Sequence, residues 1–403
     1  MIDFKRQHAG ITQPRTAMPR RNCRLFASTS VGRLLCLLAF GLPAGLVSAV
    51  SAAGAQTLPS GGTVSAGDAS IAAGANTLTV TQSSQRAVLD WQSFSIGKDS
   101  RVVFAQPNRS AVALDRVVGA DPSQILGSLT ANGTVFRVNG NGIVFGKDAS
   151  VDVGGLVTST LGITNADFMA GRYRFEGRGG KVRNDGMIVA DGGHVALLGA
   201  SVSNNGRIQA NFGSVVLAGG EAITLDVAGD GLLNVAIDAG AVNALVRNGG
   251  VLRADGGQVL LMANAAGSLL RTAVNTSGVI EARTLEGREG RIVLHADMGS
   301  GTAMVAGVLD ASAPGGGNGG FIETSAARVD VADDGRITTA SERGTAGTWL
   351  IDPADFIVGA GGNIAGATLS AQLVNNSVII STIPLPSDAI GGNGDIFIND
   401  AIT

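Results

Sequence analysis

The sequence predicts an all-β fold, namely a right-handed parallel β-helix (a solenoid) with an irregular amino-terminal capping region. Three observations lead to this prediction: the 403 residues include 60 glycines but only 13 Phe, 2 Trp and 1 Tyr, a glycine-marked phrase recurs along the chain, and a second short apolar strand follows most copies. A hydrophobic content of 45% with 15% charged residues provides enough apolar surface to bury, which argues against disorder. The glycines follow no three-residue period, which excludes a collagen-like chain.

Residues 1–55 are expected to be a secretory signal peptide with an extended basic n-region. Seven Lys and Arg residues and a single Asp accompany an apolar stretch over 34–50. That stretch contains Gly41, Pro43 and Gly45 and is short for a helix of about 20 residues that crosses a bilayer. Ala53-Gly-Ala55 is an A-x-A pattern, which predicts cleavage between Ala55 and Gln56. The alternative is an uncleaved membrane anchor; we expect a mature chain that does not span the membrane.

Removal of this leader would leave an acidic chain without thiols. Lys and Arg fall from 29 to 22 and Asp and Glu from 32 to 31, so the net charge becomes about −9. No basic surface remains to release counterions from nucleic acid or from an anionic membrane, so neither is an expected partner. Cys23 and Cys36 both lie in the leader, so disulfides would not stabilise the mature fold.

The recurring phrase consists of a turn, an apolar-x-Ala step and then a second strand. Its turn glycines are Gly186, Gly206, Gly250, Gly278, Gly307 and, in a weaker copy, Gly335. Their spacings are 20, 44, 28, 29 and 28 residues, and we interpret the 44 as two coils of about 22. The second strands are predicted at 194–198, 214–217, 258–262, 291–295 and 321–324. Such units cannot close a core alone and must stack, whereas the strands of the alternative flat-sheet sandwich repeat every 8 to 12 residues without this echo.

Asparagines at successive corners are expected to form hydrogen-bonded ladders along the helix axis. The candidates are Asn184, Asn204, Asn205 and Asn248.

Residues 56 to about 180 are less periodic, as expected for a capping region that protects the open edge of the first coil. Strands are predicted at 77–81, 86–91, 100–104, 111–117, 134–138 and 143–145. Two short helices are also predicted. Asp121-Pro122 would open one that runs to about Leu129, and Asn165 would cap another near 166–170.

Several ordered motifs resemble a known family. Ala131-Asn-Gly-Thr-Val-Phe136, Val138-Asn-Gly-Asn-Gly-Ile-Val-Phe-Gly146 and the segment 149–160 are similar to the amino-terminal secretion domain of filamentous-haemagglutinin-type exoproteins of Gram-negative two-partner secretion (TPS) systems. Segments 104–119 and 165–175 resemble the same family in the same order. The resemblance covers about 56–300, with 301–403 expected to continue the β-helix as a truncated rod. One departure is Gly140 in Asn139-Gly-Asn-Gly142, where the family has proline.

The resemblance implies a function for the chain. It implies a secreted or cell-surface exoprotein that passes through the periplasm and is exported by a cognate outer-membrane TpsB-type barrel transporter with periplasmic domains. The expected activity is that of an adhesin or haemagglutinin with a host-cell or surface glycan or protein ligand; the alternative within the family is haem or haemopexin binding. The segment 131–160 is the hypothesised transporter-recognition segment. Its candidate residues, which could equally be ordinary coil residues, are Asn139, Asn141, Gly142, Ile143, Val151, Gly154 and Gly155.

The residues do not predict catalysis, a cofactor or a metal site. His194 and His295, the two histidines beyond the leader, lie in separate strand phrases with no metal-ligand spacing. The G-x-G-x-x-G match at 315–320 has no helix after it. Carboxylate pairs Asp333/Asp334 and Asp352/Asp355 leave one alternative from another class, a β-helical polysaccharide lyase or hydrolase, although turn residues are the simpler interpretation.

Overall fold

A computed structural model describes residues 2–6, 58–227, 231–265, 273–382, 384 and 392–403. The chain divides into two compact units, Met1–His8 with Ala55–Thr403, and Ala9–Gly54; the second unit lies outside the described residues. The predicted signal peptide and its cleavage site at Ala55 and Gln56 therefore also lie outside them, except for a strand at Ile2–Arg6 that pairs in parallel with Ser377–Thr382.

The described elements are almost all short strands. In chain order, the strands are β1 Ile2–Arg6, β2 Thr63–Ala66, β3 Ala69–Ala73, β4 Thr77–Gln82, β5 Arg86–Trp91, β6 Arg101–Ala105, β7 Val112–Val117, β8 Ser123–Ile125, β9 Ser128–Val138, β10 Ile143–Phe145, β11 Ser150–Ser159, β12 Tyr173–Glu176, β13 Lys181–Asn184, β14 Met187–Val189, β15 His194–Gly199, β16 Ser201–Asn204, β17 Arg207–Gln209, β18 Ser214–Gly219, β19 Ala222–Val227, β20 Leu233–Ala239, β21 Leu245–Asn248, β22 Val251–Arg253, β23 Gln258–Ala263, β24 Ala273–Thr276, β25 Val279–Glu281, β26 Arg291–His295, β27 Thr302–Val305, β28 Val308–Asp310, β29 Phe321–Ser325, β30 Arg328–Val331, β31 Arg336–Thr338, β32 Thr348–Asp352, β33 Phe356–Val358, β34 Ser377–Thr382 and β35 Ile396–Ile398. The described helices are α1 Asn165–Met169 and α2 Gly366–Leu373.

The strands wind into a parallel β-helix, as predicted. Each regular coil has three strands, one more than the sequence phrases indicated, and each strand pairs in parallel with its counterpart in the next coil. The first face contains β13, β16, β21, β24, β27 and β30; the second contains β14, β17, β22, β25, β28 and β31; the third contains β15, β18, β23, β26, β29 and β32. All six strands predicted before residue 180 and all five predicted second strands are present. Their ends are shifted by at most two residues, except that the strand predicted at 134–138 begins six residues earlier, at Ser128.

The interior is lined by apolar side chains that occupy the same register in successive coils. On the second face these are Ile188, Ile208, Leu252, Ile280, Leu309 and Ile337, which are all buried. Because side chains alternate along a strand, the middle residue of each three-residue strand points inward and its neighbours point outward.

The turn glycines are needed because adjacent coils approach closely at this corner. A Cβ atom at Gly206, Gly250, Gly278 or Gly307 would lie 2.1 Å from the carbonyl oxygen of the turn glycine in the preceding coil. The same oxygens accept the hydrogen bonds between coils, for example from Arg207 N to Gly186 O at 2.9 Å. Any side chain here would separate the two coils, which explains why this residue recurs.

An asparagine ladder runs beside the glycine column. Asn184 Nδ2 donates to Asn204 Oδ1 at 2.8 Å, and Asn204 Nδ2 donates to Asn248 Oδ1 at 2.9 Å. All three side chains are fully buried, so the ladder satisfies polar groups that water cannot reach. The prediction that Asn205 joins this ladder was wrong, because Asn205 is exposed and its Nδ2 instead donates to Asp185 Oδ1 at 2.9 Å.

The capping region is irregular in the predicted way. Strand β2 pairs antiparallel with β5 and β3 pairs antiparallel with β4, whereas β4 and β5 continue in parallel into β6 and β7. Strand β9 then pairs with β6 through its first half and with β7 through its second half. These pairings cover part of the first coil edge, which would otherwise be open to another chain.

Three predictions of local structure were wrong. The 44-residue interval is a single coil, because β18 pairs directly with β23 and the extra residues leave the helix as the hairpin β19–β20. The segment after Asp121-Pro122 is strand β8 rather than a helix, since pairing with β10 outweighs the local cap signal. Helix α1 is capped by Thr164, not by Asn165, since Thr164 Oγ1 accepts a hydrogen bond from Asp167 N at 3.0 Å.

Candidate functional site

The first group of hypothesised recognition residues forms the turn between β9 and β10. Asn139 is fully buried, and its Nδ2 donates to Asp121 O and Ser123 Oγ, both at 3.0 Å. Its Oδ1 accepts from Asn141 N at 2.9 Å, which closes an Asx turn in which Gly142 has a φ of 121°. Ile143 points into the interior and is fully buried.

The second group lies on β11. Val151 is an interior residue, and the register of β11 against β9 shifts between Val153 and Gly155, at Gly154. A Cβ atom at Gly154 would lie 2.8 Å from Gly133 O, and one at Gly155 would lie 2.7 Å from Thr134 Oγ1, so both glycines permit a close approach. Of the seven candidates, only Asn141 is exposed and only Gly154 is half-buried. The folded domain therefore does not present them as one surface.

A second apolar layer covers part of the third face, and sequence reasoning missed it. The hairpin β19–β20 and strand β12 form a three-stranded antiparallel sheet outside the coil. Phe136 of β9 packs against Phe168, Tyr173 and Phe175, with ring centroids 5.4, 4.8 and 6.1 Å away. The available signal was the run of consecutive apolar residues at 215–218 in β18, because a strand that is covered on both sides lacks apolar–polar alternation.

A cleft of about 420 Å³ opens between the third face and this outer layer. Its floor includes Thr134, Phe136, Gly154 and Val157, and its far wall is formed by Tyr173, Leu225 and Leu233. Arg86, Arg109 and His194 supply its basic groups. Burial lowers the pKa of His194, whose Nδ1 has no hydrogen-bond partner among the described residues, so this imidazole is neutral at pH 7.

A charged pair lies inside the capping region. Burial raises the pKa of Asp115 to about 6, although the charge of Arg137 and a 2.8 Å hydrogen bond from Trp91 Nε1 favour the ionised form. Burial likewise lowers the pKa of Arg137 to about 10, and the guanidinium carbon lies 3.1 Å from the ring centroid of Phe94. Both side chains are enclosed, so they affect stability rather than bind a ligand from solution.

The carboxylates that suggested a polysaccharide-cleaving enzyme make contacts within the fold. Asp333 Oδ1 accepts from Thr368 Oγ1 at 3.1 Å, and Asp355 Oδ1 accepts from Asp395 N at 2.9 Å. Burial and the nearby charge of Glu323 raise the pKa of Asp352 to about 6. Within the described ranges, no group of three or more His, Cys, Asp or Glu residues is arranged to hold a metal ion. The same residues include no helix that is long and apolar enough to cross a bilayer.

Comparison with known proteins agrees with this architecture. Residues 55–310 match the family model described as the TPS secretion domain. Two curated relatives named heme/hemopexin-binding protein, from Haemophilus influenzae strain Rd and from H. influenzae, are each 34% identical to the chain, over 255 and 249 residues. These alignments cover 61% and 55% of this chain but only 28% and 26% of the relatives, so the chain spans about a quarter of their length.

A solved structure shows the same fold. The secretion domain of HMW1 from H. influenzae superposes with a TM-score of 0.61 at 24% identity, covering 85% of this chain and all of the solved chain. The names of these three proteins describe binding or secretion, not catalysis. Since the family model matches more than half of the chain, this β-helical protein belongs to the family of TPS secretion-domain exoproteins.

Proposed function

We propose that this chain is the export domain of an adhesin or haemagglutinin that crosses the periplasm and leaves the cell through a TpsB-type outer-membrane barrel transporter. The observation that carries the proposal is the family match over residues 55–310, within which the fold is a continuous stack of coils.

The burial of the hypothesised recognition residues indicates at which stage of export the transporter would recognise them. Asn139, Ile143 and Val151 are inaccessible in the folded coil, so a partner reaches them only before the chain folds. An extended segment can add as a strand to the edge of a transporter domain, through main-chain hydrogen bonds. Recognition in the periplasm is therefore recognition of an unfolded segment.

Folding outside the cell supplies a driving force for export. Each new coil buries apolar side chains, such as Ile208, Val215 and Leu217 in one coil, and each is worth about 1.5–3 kcal/mol when removed from water. Because each coil pairs with the one before it, the chain can fold coil by coil as it emerges, and a folded coil does not return through the pore.

A pair of asparagine variants tests the recognition step. Asn141 is exposed and its Nδ2 donates to Gly119 O at 2.9 Å, whereas Asn205 is exposed and makes a comparable contact with Asp185. In cells that carry the cognate transporter, Asn141→Ala should lower the amount of protein in the medium, and Asn205→Ala should leave it unchanged. Equal export of both variants contradicts recognition at this turn, and export without the transporter contradicts the proposed route.

A second candidate activity, haem or haemopexin binding, is favoured by the names of the two curated relatives. Red-cell agglutination by the full-length protein tests the adhesin proposal, and pull-down of haem-loaded haemopexin by the same preparation tests the alternative.

A further inference from the structure

The cleft beside the third face has a floor that the register of the strands explains. Arg86 of β5 pairs with Val112 of β7, Val112 pairs with Thr134 of β9, and Thr134 pairs with Gly155 of β11. In the next coil the place that corresponds to Gly155 is occupied by His194 of β15, because the residues that follow them, Leu156 and Val195, are paired. Gly155 contributes no side chain to this row, so it leaves space between Thr134 and His194.

Two arginines, Arg86 and Arg109, line the cleft. Neither Arg86 nor Arg109 forms an ion pair with a carboxylate in the parts of the chain that the structure describes. Arg86 Nε is buried and has no hydrogen-bond partner there. Arg109 donates to the carbonyl of Asp191, whose carboxylate instead accepts hydrogen bonds from Gln209 Nε2 and Asn211 N, both at 2.8 Å. A buried guanidinium N–H without a partner is costly, and an anion would satisfy it.

The rest of the cleft is suited to an apolar body. Phe136, Val157, Leu225 and Leu233 line it, and His194 is neutral, with an Nδ1 that no described residue contacts by a hydrogen bond. The volume of about 420 Å³ falls within the usual range for small-molecule sites. An apolar interior with basic groups is complementary to an amphipathic anion, and unsuited to a sugar or to a cation.

We propose that this cleft binds a molecule with an apolar chain and a terminal carboxylate, such as a fatty acid of about twelve carbons. Arg86 and Arg109 hold the carboxylate of the ligand, and the apolar chain of the ligand lies against Phe136, Val157 and Leu225. This binding is independent of the export function, because it requires the folded coil and the outer layer, whereas export requires the unfolded segment.

Calorimetric titration of the purified 403-residue chain with laurate, and separately with dodecanol, tests the proposal. We expect one laurate per chain and binding of dodecanol at least tenfold weaker, since dodecanol lacks the carboxylate. Arg109→Gln should weaken laurate binding about tenfold or more, and Arg109→Lys should restore part of it. Arg101→Gln is the matched control, because Arg101 is exposed at the start of β6 and does not line the cleft.

A steric variant provides a second test. Ser110 is exposed at the cleft, so Ser110→Trp fills the opening without altering the coil and should abolish laurate binding while leaving the unfolding midpoint unchanged. The proposal is overturned if laurate does not bind, if dodecanol binds equally well, if Arg101→Gln weakens binding as much as Arg109→Gln, or if Ser110→Trp still binds laurate.

Discussion

The glycine column gives the sharpest prediction for stability. Gly206 packs against the preceding coil so closely that an alanine Cβ would lie 2.1 Å from Gly186 O, whereas ordinary contact begins at 3.4 Å. The substitution Gly206→Ala therefore requires a local separation of about 1.3 Å between two coils that are otherwise about 4.8 Å apart.

The cost follows from the hydrogen bond at the same oxygen. Arg207 N donates to Gly186 O at 2.9 Å, and the separation would stretch this bond beyond hydrogen-bonding distance. Overpacking costs about 1–3 kcal/mol, and loss of the bond adds about 1 kcal/mol. We expect Gly206→Ala to lower the free energy of unfolding by about 2–4 kcal/mol, which is more than a tenfold change in the folding equilibrium.

Gly315 provides a matched control. Its φ is not in the left-handed region, and a Cβ atom there would meet no described heavy atom within 4 Å. Urea unfolding can be followed by the fluorescence of Trp91 and Trp349, which are both buried. Gly206→Ala should unfold at a clearly lower urea concentration than Gly315→Ala. Equal midpoints for the two variants would refute the explanation of the glycine column given above.

Three further predictions concern the ladder, the buried pair and the helix cap. Asn204→Ala should lower the free energy of unfolding by about 2–4 kcal/mol, because it removes the hydrogen bonds that join Asn204 to the buried amides of Asn184 and Asn248, and Asn205→Ala should lower it by less than about 1 kcal/mol; urea titration compares them. The pKa of Asp115 rises from 3.8 to about 6 on folding, so its contribution to stability is present below about pH 4 and is lost as the pH rises through 6. A pH series of unfolding midpoints should therefore show a loss of about 3 kcal/mol that Asp115→Asn removes. Thr164→Ala should cost about 1 kcal/mol by removing the cap of α1, while Asn165→Ala should cost almost nothing, and thermal melts that rank them in the reverse order would restore Asn165 as the cap.

The fold was predictable because its signals repeat. The glycine at each second-face turn and the apolar residue two places later recur in every coil, and stacking is the arrangement that buries both. The first-face strand of each coil was missed because strands such as β13 and β16 are four residues long and three of those residues are polar, so they carry little signal of their own. The cap prediction at Asp121 failed because a local helix signal competed with parallel pairing between distant residues.

The candidate site was less predictable. The residues that carry the family motif, such as Asn139 and Ile143, have clear structural roles in the folded coil, so the motif alone does not separate folding from recognition. The cleft depends on Arg86, Arg109 and His194, which are separated by up to 108 positions. The register of β5, β7, β9, β11 and β15 places Arg86 and His194 in one row, and Arg109 joins them from the segment between β6 and β7. No local pattern indicates such a meeting.

The hairpin β19–β20 shows that the rod tolerates added length at one corner. Strands β18 and β23 keep the same register as their neighbours although 38 residues separate Gly219 from Gln258, against 14 between Gly199 and Ser214. A foreign peptide grafted between β19 and β20 would therefore add length at this corner without disturbing the pairing of β18 with β23. The domain thus offers a position at which a peptide antigen can be carried while the pairing of β18 with β23 is kept.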